Sequence, residues 1–284
     1  MGERQPSRVA IGVALLSPPA GDPRRIVSSQ DRPPSETVPT MDAPPTVGIA
    51  AFAVDGAGVR SSELQRAPRV RAASMTKPLL CWAAATIEPF ATDHAAWEAL
   101  ARPAVTHSDN DATAELWSRV GGADILAAIS DLTGVAWTTD SGGEHETLRV
   151  MVTADESATA YASFVSDESH AAQQLRRWMR EVPAEQTFGI REVAAATLGI
   201  PEASVGVKCG WFGGERAHAA VVAAVDDSVL GAVVMTSRPS DVPSRTACQL
   251  AAGNNTLLVA VHENLAGPTI RSALARALEL SASL

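Results

Sequence analysis

The sequence predicts an α+β fold, because strand-like stretches lie at both ends of the folded region and helical patterns lie between them. Near the start, Val47–Val54 is an apolar run of strand length, and Asp55-Gly56 directly after it is typical of a hairpin turn. Strand-like runs return in the last third, at Ala203–Cys209, Ala217–Val225 and Val229–Ser237. We therefore expect the N-terminal hairpin to pair with the C-terminal strands in one antiparallel sheet flanked by helices.

The middle of the chain favours helices. Thr153-Ala154-Asp155-Glu156 has the sequence of a capping box, in which a threonine and a glutamate three residues later satisfy the first backbone N–H groups of a helix. The predicted helices are Leu79–Ala101 with a break near Pro89, Asp111–Val120, Ala123–Leu132, Thr153–Val165, Glu168–Arg180, Pro243–Ala252 and Thr269–Leu280. Residues 136–147 favour a loop, and Leu257–His262 is ambiguous. The predicted organisation is a Pro-rich arm (1–46) and a single domain (47–284), with an α/β lobe (47–72 and 203–284) and a trimmed, mainly helical lobe (73–202).

Composition and charge exclude several classes of protein. The net charge is −9 and there is no basic run, so we expect no nucleic-acid partner. The three cysteines are odd in number and match no metal-ligand spacing, which is typical of a reduced compartment. No metal or organic cofactor is implied, and the oligomeric state is not predicted.

The N-terminus has the outline of a short export signal. Arg4 and Arg8 precede the apolar run Val9–Leu16, but this run has no clear cleavage site after it. Residues 17–46 then carry eight prolines, which favour an extended segment. No run is long enough to span a membrane. We expect a first strand or extended arm and a cytoplasmic protein, with secretion as the alternative.

A serine and a lysine mark the chemistry of this chain. Ser74-Met75-Thr76-Lys77 opens an apolar helix, and residues three apart on a helix share a face. A serine hydroxyl becomes a nucleophile when a neighbouring base takes its proton, and a desolvated lysine can be that base. The helix N-terminus adds free backbone N–H groups where negative charge would develop.

The rarity of lysine in this chain marks two positions, one just after Ser74 and one near residue 208. Of the 23 Lys+Arg residues, 21 are arginines and only Lys77 and Lys208 are lysines. An arginine cannot lose its proton in a protein, so positions that need a titratable amine resist exchange for arginine. Lys208-Cys209-Gly210 follows a strand-like run, and Ser108-Asp109-Asn110 lies between the two lysines.

These three motifs, in this order, resemble the serine β-lactamase and penicillin-binding protein superfamily, and class A β-lactamases in particular. Ser74-Met75-Thr76-Lys77 is similar to the nucleophile motif, and Ser108-Asp109-Asn110 to the second motif. Lys208-Cys209-Gly210-Trp211 stands where the family has Lys-Thr/Ser-Gly. The resemblance covers about Val47 to Arg238 and implies a β-lactamase/transpeptidase-like fold.

The resemblance also implies roles for individual residues. Ser74 would be the acylated nucleophile and Lys77 its base. Ser108 would relay a proton to the leaving group, with the charge of Lys208 beside it. Substrate would be bound by Asn110, Cys209, Gly210 and Trp211, and the backbone N–H groups of Ser74 and Trp211 would form the oxyanion hole.

Three departures from the family pattern bear on the substrate. Cys209 replaces a hydroxyl residue expected to contact a substrate carboxylate; as an alternative, its thiol could itself be a nucleophile. The interval from Ser74 to Ser108 is shorter than in class A enzymes. No residue clearly matches the glutamate that activates the deacylating water, although Glu144 and Glu146 lie in about the right place, where they are either that group or solvated loop charges.

We therefore expect a serine acyl-enzyme that passes its acyl group from a small ester or amide to an amine, as a transacylase of specialised metabolism. β-Lactamase-like transacylases that form the amide of capuramycin-type nucleoside antibiotics are a similar case. The alternative is a hydrolase of the same family, an esterase, amidase or β-lactamase, with water as acceptor. A third hypothesis, a catalytically silent binding domain, is disfavoured because every motif residue except position 209 is intact.

Overall fold

A computed structural model describes residues 45–140, 149–213, 215–238, 242–251 and 255–284, with backbone only for 242–245 and 255–256. All of these residues fall in one unit, Thr40–Leu284. The Pro-rich arm up to residue 44, including the signal-like run, lies outside the described residues, as do Glu144 and Glu146. Within the described ranges no helix combines the length and the apolar character that a membrane crossing requires.

The described strands and helices follow the predicted α+β order. The strands are β1 (Thr46–Asp55), β2 (Gly58–Gln65), β3 (Val70–Arg71), β4 (Thr138–Thr139), β5 (Val150–Val152), β6 (Val205–Phe212), β7 (Arg216–Val225) and β8 (Ser228–Ser237). The helices are α1 (Lys77–Ala84), α2 (His94–Thr106), α3 (Asn110–Val120), α4 (Gly122–Thr133), α5 (Ala154–Ser166), α6 (His170–Arg180), α7 (Ile190–Leu198), α8 (Val242–Ala251) and α9 (Asn255–Ser281). Short 3-10 turns lie at Ala73–Thr76, Ala184–Gln186 and Glu202–Ser204.

The main sheet joins the two ends of the folded region, as predicted. Its order is β2-β1-β8-β7-β6, and every neighbouring pair is antiparallel. Strand β1 runs beside β8 from Thr46 opposite Ser237 to Val54 opposite Val229. A second, small sheet of order β3-β5-β4 was not predicted, because its strands are only two or three residues long.

Each face of the main sheet is buried against helices. Because side chains alternate along a strand, Phe52 points to one face and its neighbour Ala51 to the other. The face that carries Phe52 packs against the helical region, and the face that carries Ala51 packs against α7 and α9. This double burial is why the strands read as continuous apolar runs instead of alternating polar and apolar residues.

Local sequence signals set most helix ends. Asp109 caps α3 through its side chain, which accepts from Ala112 N at 3.0 Å. The capping box at Thr153 is present in full at the start of α5. Two helices differ from the prediction: α7 was missed, and α9 is one 27-residue helix that includes both the ambiguous stretch and the predicted closing helix. Their burial against the sheet, which a local pattern does not contain, accounts for both differences.

Candidate active site

Ser74 lies in the 3-10 turn that leads into α1, between a residue with a left-handed backbone and a residue whose carbonyl is hydrogen-bonded. Ala73 before it has a φ of +48°, a left-handed conformation that is costly for a residue with a side chain. Tyr161 Oη, from α5, donates to the carbonyl of Met75 at 2.6 Å. Ser74 lines a cavity of about 400 Å³. Strain of this kind concentrates at functional sites, because the surrounding structure must hold it.

Strand β6 approaches this turn very closely at Gly210. A Cβ at residue 210 would lie 2.6 Å from Met75 N and 2.8 Å from Ser74 N, far inside van der Waals contact. Only glycine therefore lets the strand and the Ser74 turn come together. Gly210, predicted to bind substrate, is not among the residues that line the cavity; the structure shows it setting the distance between the turn and the strand.

Lys77 is 1% exposed and lies among three oxygen acceptors from the second motif. Its Nζ is 2.6 Å from Ser108 O, 3.0 Å from Asp109 O and 2.8 Å from Asn110 Oδ1. Burial, and next the charge of Lys208, lower the pKa of Lys77 to about 6, although Cys81 and Asp109 act in the opposite direction. At neutral pH the amine is therefore largely uncharged and able to accept a proton.

Ser108 connects the two lysines, and its backbone is left-handed, with a φ of +58°. Its carbonyl accepts from Lys77, while its Oγ accepts from Lys208 Nζ at 3.0 Å. Lys208 also donates to Cys209 O at 3.2 Å. The hydroxyl hydrogen of Ser108 is thereby left available for donation to a third group.

The two lysines differ in charge state near neutral pH. Burial lowers the pKa of Lys208 to about 8, which leaves it mostly protonated at pH 7. A pair of titratable groups whose pKa values are separated in this way can divide the roles of acid and base. The arrangement provides a neutral amine beside the second motif and a positive charge beside Ser108.

Comparison with known proteins identifies the family. A family model described as "Beta-lactamase enzyme family" matches residues 70–256. The chain belongs to this family. No curated protein sequence matches it.

Solved structures of class A β-lactamases share the fold. The chain has 20% sequence identity with a β-lactamase from Burkholderia vietnamiensis, with a TM-score of 0.52 over 80% of this chain and 92% of that one. The β-lactamase from Streptosporangium roseum has 17% identity and a TM-score of 0.51, over 80% and 94%. A class A β-lactamase from Mycobacterium abscessus has 16% identity and a TM-score of 0.50, over 78% and 94%. Identities this low show the β-lactamase-like fold and not a shared substrate.

Cys209 occupies a different place from the one expected for this family. It is 1% exposed and belongs to the core on the α7 and α9 side of the sheet, because its side chain points to the face opposite that of Lys208 and Gly210. It does not line the cavity. Burial raises the pKa of the Cys209 thiol to about 12, so at neutral pH the group is not the thiolate that a nucleophile requires. The prediction that the Cys209 side chain contacts substrate is wrong, and so is the alternative that it is a nucleophile.

The cavity has two walls that come from distant parts of the sequence. One wall is formed by His107, Ser108 and Asn110, at the junction of α2 and α3. The other is formed by the end of β6 and by α9. Its residues are Trp211, Phe212, Gly213, Leu258 and His262. The predicted site residues Ser74, Ser108, Asn110 and Trp211 thus line one cavity, and Lys77 and Lys208 lie beneath Ser108.

Sequence reasoning missed part of this lining. Phe212 and Gly213 directly follow the third motif, so adjacency could have found them. Leu258 and His262 lie far beyond the last motif, on a stretch whose secondary structure was ambiguous. His107 is adjacent to the second motif in sequence. It lies exposed at the rim of the cavity, with its Nδ1 2.7 Å from Thr106 Oγ1.

Proposed function

We propose that this protein is a serine acyl-transfer enzyme that forms a covalent acyl-enzyme at Ser74. The observation that carries the proposal is the convergence of Lys77 and Lys208 on Ser108, with pKa values of about 6 and about 8, next to the cavity that Ser74 lines. This arrangement supplies a base and a separate positive charge at neutral pH. Family membership supports the same chemistry.

In the proposed acylation step, Lys77 and Ser108 pass protons from Ser74 to the leaving group. Neutral Lys77 takes the Oγ proton of Ser74 as Oγ forms a bond to the acyl carbon of an ester or amide. The bond from that carbon to the leaving oxygen or nitrogen then breaks. The leaving group takes its proton from Ser108 Oγ, which regains one from Lys77, so both residues end as they began.

Other predicted residues support this circuit. Asn110 accepts from Lys77 at 2.8 Å and so fixes the amine beside the second motif. Lys208, whose ammonium donates to Ser108 Oγ, favours negative charge building up there during proton release. The backbone N–H groups of Ser74 and Trp211 are proposed to bind the oxyanion; losing one donor of this kind typically costs about 2.7–4 kcal/mol of barrier.

The acyl group is proposed to pass to an amine, in an ester-to-amide exchange within specialised metabolism. Among the described residues that line the cavity, none is an aspartate or glutamate. This supports a slow attack by water, during which an amine can compete. Glu144 and Glu146, the residues that could overturn this reasoning, lie outside the described ranges. The proposed partners are a small-molecule donor and acceptor, in the cytoplasm.

A hydrolase is the second candidate, because the matching family is a β-lactamase family. In that case water would release the acyl group, through Lys77 or Ser108 as base, and an amine would make no difference to the rate. The donor would then be an ester, an amide or a β-lactam.

One mass measurement separates these functions. Wild-type protein, Ser74→Ala and the exposed-serine control Ser283→Ala are each mixed with a panel of p-nitrophenyl esters and β-lactams, and intact masses are recorded. We expect an adduct on wild type and on Ser283→Ala, and none on Ser74→Ala. Lys77→Arg, which puts a permanently protonated group where the neutral amine acts as base, should acylate about 100-fold more slowly or worse.

A chase then decides the acceptor. An adduct that persists in buffer and disappears when amine is added, with the amide as product, supports the transacylase. An adduct that clears equally fast in buffer alone identifies a hydrolase. An adduct on Ser74→Ala, or none on any protein, refutes the acyl-enzyme at Ser74.

A further inference from the structure

Part of the far wall of the cavity is made by α9, which carries none of the three motifs. Leu258 and His262, on the first half of α9, face the same cavity as Ser74. Both residues lie beyond Arg238, where the motif resemblance ends, and beyond residue 256, where the family match ends. The α9 part of this wall is therefore not accounted for by the three motifs, and it is a candidate for chemistry that they do not supply.

His262 is held in a defined place on this wall. It is 1% exposed, and its Nε2 lies 3.7 Å from the thiol sulfur of Cys248 on α8, within hydrogen-bond distance for sulfur. Its ring centroid lies 6.2 Å from that of Trp211, the last residue of the third motif. Trp211 is supported in turn by Phe188 at 5.6 Å. Two contacts thus orient the imidazole beside the end of β6.

The imidazole is uncharged at physiological pH, although the burial that keeps it uncharged also makes it a weaker base. Burial lowers the pKa of His262 to about 4, so the ring is neutral at physiological pH. Burial also raises the pKa of Cys248, so its partner remains a thiol. A neutral imidazole carries one nitrogen that donates and one that accepts, and the contact with Cys248 biases which nitrogen does which.

Other side chains on the cavity are less suited to receive a proton from an incoming nucleophile. His107 is exposed at the rim and shares a hydrogen bond with Thr106. Lys77 and Lys208 are not among the residues that line the cavity, and both are hydrogen-bonded to Ser108. Among the described residues that line the cavity, His262 is the buried titratable one.

We propose that His262 is the catalytic residue of the second half-reaction: it binds the acyl acceptor on the α9 wall and takes its proton, while Cys248 is the positioning residue that orients the ring. This assignment rests on the proposed acyl-enzyme at Ser74 and deepens it, since it places the amine on the α9 side of the cavity.

The step balances with the groups already named. The acceptor nitrogen forms a bond to the acyl carbon and gives one proton to His262. The bond from that carbon to Ser74 Oγ then breaks, and Oγ takes up the proton that His262 releases, directly or through water in the cavity. The products are an amide and free Ser74, with His262 neutral again.

The test measures the two half-reactions separately. Wild type, His262→Asn and the exposed-histidine control His170→Asn are acylated with p-nitrophenyl esters, freed of excess ester, and chased with 2-methoxyethylamine while intact masses are recorded. For His262→Asn we expect an adduct at Ser74 but amine-dependent release about 100-fold slower, since a general base typically contributes 10²–10⁴-fold. Release from His170→Asn should match wild type.

Cys248 variants test positioning and do not depend on the folding of the His262 variant. Cys248→Ala should slow amine-dependent release several-fold, and Cys248→Ser, which restores a hydrogen-bonding group, should recover most of it. Unchanged release in a folded His262→Asn overturns the assignment; if His262→Asn does not fold, unchanged release in Cys248→Ala does so. If a folded His262→Asn forms no adduct at all, His262 acts in acylation and not in the second half-reaction, and the assignment is overturned. A wild type that forms no adduct refutes the proposed function instead.

Discussion

Replacing Gly210 with alanine tests how tightly acylation depends on the contact between β6 and the Ser74 turn. The added Cβ would lie 2.6 Å from Met75 N and 2.8 Å from Ser74 N, whereas ordinary contact begins at 3.4 Å. The strand or the turn must therefore move by about 0.8 Å. Both neighbours are backbone atoms, so no side-chain rotation can relieve the overlap.

The displacement falls on the two backbone N–H groups that the proposed acylation uses. The proposed oxyanion donors are the N–H groups of Ser74 and Trp211, which lie on the two sides of this contact. A misplacement of about 1 Å can cost on the order of 100-fold in rate, so we expect Gly210→Ala to acylate about 100-fold more slowly. Overpacking should also lower the free energy of unfolding by about 1–3 kcal/mol.

The assay is the rate of adduct formation at Ser74, followed by intact mass, together with a urea unfolding curve. Gly56→Ala is the matched control, because nothing lies within 4 Å of a Cβ at that residue. It should leave both the rate and the stability near those of wild type. A Gly210→Ala protein that folds and acylates at the wild-type rate would show that the contact does not position the oxyanion donors.

Three further predictions follow from the site and its surroundings. The acylation rate should rise as pH increases through about 6, where Lys77 becomes a neutral base, and fall again through about 8, where Lys208 loses the charge beside Ser108; a rate that is flat from pH 5 to 9 would contradict these roles. Thr153→Ala should remove the capping box of α5 and lower the free energy of unfolding by about 1 kcal/mol in urea titration. The acylation rate should be unchanged. A variant that keeps its stability but loses activity would contradict this structural role. Cys209→Ala should acylate within about twofold of the wild-type rate, because the Cys209 side chain lies in the core between the sheet and helices α7 and α9. The variant should lose about 1 kcal/mol of stability. A large drop in the acylation rate of a folded variant would show that the thiol reaches the substrate.

Features that depend on near neighbours were predictable from the sequence. The hairpin at Asp55-Gly56 and the capping box at Thr153 each arise from residues within a few positions of one another. The three motifs could be located in the same way, because the residues of each motif lie within four consecutive positions. The antiparallel sheet also followed, since both ends of the folded region are apolar runs of strand length.

Features that depend on distant segments were decided by the tertiary structure. The sequence predicted that Cys209 binds substrate, whereas the packing of α7 and α9 makes its face of the sheet a closed core. The pKa values of Lys77 and Lys208 come from burial, which the sequence does not contain. His262 joins the cavity because α9 crosses the sheet beside Trp211. In each case the deciding quantity is the distance between residues far apart in sequence, and that distance is set by the burial of whole helices against the sheet and not by the pattern of any one segment.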